Sequence, residues 1–146
     1  MPYPGLMTNR WELVSVIHAD LDQGTYYTPW LSAQQRQRWL FVLDVGDIGV
    51  TGTVDMEIQE AQDAVGTGAV AIAGKAITQL TQALGDTDDA VGINLGAAEM
   101  NAAADFDHVR VRLDILVAST NACLFVWADA LRYRPPNLGQ WTEIIQ

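Results

Sequence analysis

Cysteine, lysine and histidine are almost missing from this 146-residue sequence: there is one cysteine, Cys123, one lysine, Lys75, and two histidines, His18 and His108. A lone cysteine forbids an internal disulfide, so the fold must rest on its core, and nothing points to an oxidising compartment. Eight basic residues face eighteen acidic ones, for a formal charge of −10, and Arg110/Arg112 is the one dense pair of arginine sites. Binding to nucleic acid or to an anionic membrane surface needs clustered cations that neutralise phosphates, so neither is expected as a partner. No apolar run approaches the roughly 18 residues of a membrane-spanning helix. The start, MPYPGLMTNRWEL, lacks the basic region and continuous apolar run of a signal peptide. The expectation is a soluble protein folded in a cytoplasm, its acidity serving solubility and spacing from like-charged neighbours, with a basic partner surface as the sharper alternative.

The same scarcities limit chemistry. A zinc or iron site needs about three or four converging ligands, and two histidines on separate strands do not supply them, so no metal or other cofactor is expected. Cys123 opens an apolar run, where a thiol acts as a small hydrophobe. No G-x-S-x-G elbow occurs. GTGAVAIAGKAIT superficially looks like a phosphate loop, but Ala69 stands at the first glycine position. Ala76 follows Lys75, leaving no hydroxyl for magnesium. GDTDDAVG gathers Asp86, Asp88 and Asp89 without the spacing of an EF-hand and reads as a solvated acidic turn. No carboxylate pair stands out for glycoside chemistry. No catalytic residue is assigned, and the chain is read as a structural building block rather than an enzyme.

What is present is strand pattern. In 107–118, DHVRVRLDILVA, residues Val109, Val111, Leu113, Ile115 and Val117 share one parity, while His108, Arg110, Arg112 and Asp114 share the other. Side chains alternate faces along a strand, so one face is buried and one wet. Residues 50–58 repeat the pattern. The runs 38–46 and 122–132 are apolar on both parities and read as more deeply buried strands, with Trp39 and Trp127 in the core. STNA, at 119–122, predicts a hairpin between 107–118 and 122–132. Weaker strands are expected at 11–18, 25–31, 75–82 and 90–95, and short helices at 32–39, capped by Ser32, and at 97–105. About eight short strands with Gly-rich connections mean an all-β sandwich, barrel or jelly roll of one domain. The sandwich is expected over residues 11–136, between an N-terminal arm, 1–10, and a C-terminal arm, 137–146. The arms carry apolar residues outside the strand pattern, and Tyr3, Leu6, Trp141, Ile144 and Ile145 are expected to anchor them on a partner.

The order of several segments is familiar. VLDVGDIGVTGTVDMEIQEAQDAVGTGAVAIAGKAITQLTQ (42–82), with its D-A-x-G-T-G turn and G-K-A-I-T-Q-L run, resembles small structural proteins encoded beside the major capsid gene of tailed bacteriophages. INL with a following acidic residue (93–99), FDHVRVRL (106–113) and RYRPP (132–136) match in the same order. The resemblance implies a capsid decoration, or cement, protein of β-sandwich or jelly-roll type. Such a protein binds major capsid protein subunits on the outer surface of the virion, after assembly in the host cytoplasm, as a small homo-oligomer (dimer or trimer). Two alternatives remain open. One is a head–tail junction or tail component. The other is a carbohydrate-binding module displayed on a virion, which would need an exposed aromatic pair.

Overall fold

The computed structural model describes residues 11–34 and 36–129. The arms, and with them Tyr3, Leu6, Trp141, Ile144 and Ile145, lie outside the described residues, as does the expected RYRPP match. The fold is an all-β sandwich of two antiparallel sheets. The strands are β1 (Trp11–Leu21), β2 (Gly24–Tyr27), β3 (Leu31–Ser32), β4 (Arg38–Ile48), β5 (Thr53–Ala61), β6 (Val70–Ala76), β7 (Leu80–Thr81), β8 (Ala90–Gly96), β9 (His108–Leu116) and β10 (Thr120–Asp129). Sheet A has the order β1-β10-β4-β8, and sheet B has β2-β9-β5-β6, with β3 also pairing β9 and β7 also pairing β5.

Alternation is what builds the core. Val109, Val111, Leu113 and Ile115 of β9, with Val54, Met56 and Ile58 of β5, turn inward from sheet B. Trp39, Phe41, Leu43 and Val45 of β4, with Leu124 and Val126 of β10, turn inward from sheet A. Arg110 and Arg112 stand on the opposite parity of β9, half-buried, so the expected register holds through Ile115; Val117, expected on the buried parity, lies beyond the strand and is 59% exposed, because the chain turns there.

The expected hairpin does not form. β9 pairs with β2, β3 and β5, while β10 pairs with β1 and β4, so the two strands lie in different sheets. The tight connection carries the chain across the sandwich, with Val117 held at φ 72, a left-handed conformation that costs a β-branched residue on the order of 1–3 kcal/mol. Beside it runs the crossing from β4 to β5, where Gly49 N–H donates to Ser119 O at 3.0 Å. A Cβ on Gly49 would stand 2.7 Å from that of Ala118, so the two crossings pack only because one of them carries glycine.

Both helix expectations also need correction. Residues 33, 34, 36 and 37 form a connection rather than a helix, because Asp129 draws Arg36 and Gln37 to the end of β10. Its carboxylate accepts from Gln37 N–H at 2.9 Å, and its carbonyl accepts from the Arg36 guanidinium at 2.7 Å. These tertiary partners override the helix propensity of the Gln/Arg run. The 97–105 stretch contains only two single 3-10 turns, Ala97–Glu99 and Ala102–Ala104. The 75–82 strand is split between the end of β6 and the short β7.

Candidate functional site

The two sheets share one core but turn very different faces away from it. On sheet A, the inward parities of β4 and β10 are buried, yet the middle of the outward parities of β1, β4 and β10 is also apolar. Leu13, Trp127 and Leu40 form one cross-strand row, and Val16, Phe125 and Val42 form the next. A register shift between Leu13 and Ser15 makes this possible: the extra residue, Val14, packs on the core, and the parity resets so that Leu13 and Val16 share the outer face. All six residues stand outside the core cluster, and Val16 is 37% exposed. Gly92 and Asn94 of β8 continue the rows beside Val42 and Leu40, so the apolar band is flanked by a low shelf.

This changes the reading of 38–46 and 122–132. Their apolar residues on both parities signal one buried face and one half-buried outer face. Trp39 is in the core, as expected, but Trp127 sits in the outer row. Cys123 also takes the outward parity, opposite Asp44. Burial, then the Asp44 carboxylate, push its thiol above the ordinary range, so it stays protonated at neutral pH, the reverse of an activated nucleophile. A shallow depression of about 380 Å³, lined by Asp44, Asp88, Asn121 and Cys123 among others, closes this end of the band.

The outer face of sheet B is polar and interlocked. Arg112 stands 3.5 Å from Glu57 and 3.1 Å from Asp114, and Asp114 in turn accepts from the Thr25 hydroxyl at 2.5 Å. Asp114, and less strongly Glu57 and Tyr27, hold the Arg112 guanidinium firmly in its charged form. Gln79 donates to Asp55 at 2.6 Å, and Gln59 donates to Glu57 at 2.8 Å. Arg110 sits against two rings, its Cζ 4.1 Å from the Tyr27 centroid and 4.3 Å from that of Trp30. The D-A-V-G-T-G turn backs this group. Asp63 accepts from the backbone N–H of Val65 and Thr67 and from the Thr67 hydroxyl, and Gly66, at φ 88, lies against the Trp30 indole.

Among the described residues, no group of three or more His, Cys, Asp or Glu could hold an ion. His108 Nδ1 instead meets the Asp107 carboxylate at 2.5 Å, and Asp86 accepts from Thr81 N–H at 2.7 Å. Sequence reasoning missed the Tyr27–Arg110–Trp30 group because its members lie far apart in the chain. The signal it left was an arginine on the wet parity of β9 and two aromatics, Tyr27 and Trp30, on either side of Pro29.

No protein family and no curated protein matches this chain. Among solved structures, one that is similar is Xylanase10C from Cellvibrio japonicus, a mutant in complex with xylopentaose. The likeness has 10% sequence identity and a TM-score of 0.38, and covers 85% of this chain and 27% of that one. This chain therefore spans about a quarter of the xylanase's length, and a likeness so distant carries no argument about function.

Proposed function

We propose that this chain is a non-catalytic structural protein that decorates and cements a tailed-phage capsid, binding major capsid protein subunits as a small homo-oligomer. The observation that carries the reading is the outer face of sheet A. Its Val16–Phe125–Val42 row is not needed to close the core, and an outward apolar band of this kind is the usual mark of a contact surface. A stable interface buries roughly 1,200–2,000 Å² in total, and repetition over a shell multiplies modest contacts by avidity. The resemblance of the segment order to phage decoration proteins is the ground for taking the major capsid protein as the partner. The acidic charge of −10 favours a contact that is apolar at its centre and basic at its rim. The terminal arms remain part of this proposal as additional anchors.

Add-back of purified protein to particles stripped of it tests the reading. Val42→Glu places a charge in the middle of the band. It should remain folded, with a cooperative thermal transition, and lose at least about tenfold in particle affinity. Decoration by Val42→Glu at wild-type occupancy would remove the face from the contact. Copy number separates the alternative structural role: on the order of hundreds per particle for cement, about six or twelve for a junction ring.

A further inference from the structure

Arg110 on sheet B is held unlike three other cations of the molecule. Arg36 pairs with Glu12 at 3.0 Å, Lys75 with Glu99 at 2.7 Å, and Arg112 with both Glu57 and Asp114. Arg110 has the neutral Gln59 instead, which accepts from its Nε at 2.8 Å. The Gln59 amide donates onward to Glu57, so the glutamine is fixed in place and the nearest carboxylate on β5 is engaged elsewhere. Tyr27 and Trp30 both stack on the same guanidinium at about 4 Å. Neither rings nor amide neutralise the charge. Among the described residues neither Nη1 nor Nη2 makes a hydrogen bond, and the edge that bears them matches the planar fork of a carboxylate.

We propose that Arg110, clamped by Tyr27 and Trp30, binds the carboxylate of a sugar acid, such as a single hexuronate unit. A sugar fits better than a protein partner. The surrounding face is built of Arg112, Glu57, Asp55, Asp114, Gln59 and Gln79, whereas the centre of a protein interface is depleted of charge. Tyr27 is 46% exposed, so part of its ring is open to the C–H face of a pyranose, and the charged and amide groups around it suit hydroxyls. Clamping between two rings and Gln59 removes the rotamer freedom that an arginine otherwise loses on binding. The inference is independent of the capsid reading, since it concerns the opposite face of the sandwich.

Titration of isotope-labelled full-length protein with D-glucuronate and D-galacturonate, followed by NMR, tests it. Backbone amides around residue 110 and the Trp30 indole N–H should shift, with affinity in the millimolar range that weakens as salt rises. Glucose should produce no shifts, and acetate should bind at least about tenfold more weakly than the better uronate. Arg110→Lys keeps the charge but loses the fork and the stacking plane, and should weaken binding about tenfold or more. Should Arg110→Lys not fold, Tyr27→Leu, at an exposed ring, tests the same clamp with the same expected loss. Silence toward both uronates, equal binding of acetate, or full binding by the variant would each overturn the proposal.

Discussion

The outer face of sheet A carries Leu40, Val42 and Phe125 where the outer face of sheet B carries Gln59, Glu57 and Arg112, although both sheets close the same core. Folding alone does not require that difference. Sheet B shows that this sandwich is closed by one apolar parity per sheet, with the other given to ion pairs and amides that hold one another in water. Sheet A spends both parities on apolar side chains. That surplus is the physical basis for the proposal that sheet A is the docking side.

Neighbouring residues on β10 give the sharpest way to break this comparison. Leu124 is fully buried, and Leu124→Ala should destabilise by about 2–5 kcal/mol, read by denaturant unfolding. Phe125, one residue on, faces outward and is half-buried, so Phe125→Ala should cost only about 1–2 kcal/mol while weakening partner binding more than Leu124→Ala does. Equal losses of stability would mean that the outer row is part of the fold's own support. On sheet B, Gly66→Ala should cost roughly 2 kcal/mol, because a Cβ would stand 2.6 Å from the Trp30 indole nitrogen and the backbone holds φ 88. The change should also displace Trp30, seen as altered tryptophan fluorescence. Arg112→Ala, on a side chain 39% exposed, should cost about 1 kcal/mol or less. An unchanged melting temperature in Gly66→Ala would show that the turn does not brace the arginine clamp.

The smallest expected effect is in acid. The Asp107 carboxyl is held below its ordinary 3.8 chiefly by Gln34, then by His108, and the Glu99 carboxyl below its ordinary 4.5 chiefly by Lys75. Depressed carboxyls stabilise the fold above their ordinary values and lose that contribution as pH falls through those values toward the folded ones. Melting temperature should therefore be flat near neutrality and begin to decline below about pH 4.5. Asp107→Asn should blunt the lower part of that decline.

Strict alternation made β9 legible from sequence, down to which arginines face outward, because a period of two with an apolar-free parity has only one reading. The two doubly apolar runs were ambiguous for a physical reason: a half-buried outer face and a fully buried core face here carry the same residue types. The hairpin was misread because a tight polar turn can return a strand beside its neighbour or across the sandwich, and only tertiary packing, here Gly49 against Ala118, selects the second. The bulge at Val14 hid the outer row of β1 by breaking its period. The Arg110 clamp was invisible because cation–ring contacts across strands leave no local spacing.

A density map of a decorated particle, resolved well enough to orient the sandwich, tests the account most directly. It predicts sheet A turned toward the capsid shell, with Val16, Val42 and Phe125 in the contact, and Tyr27, Arg110 and Trp30 on the side open to solvent. A map with sheet B against the shell and the Val16–Phe125–Val42 row exposed to solvent would contradict it.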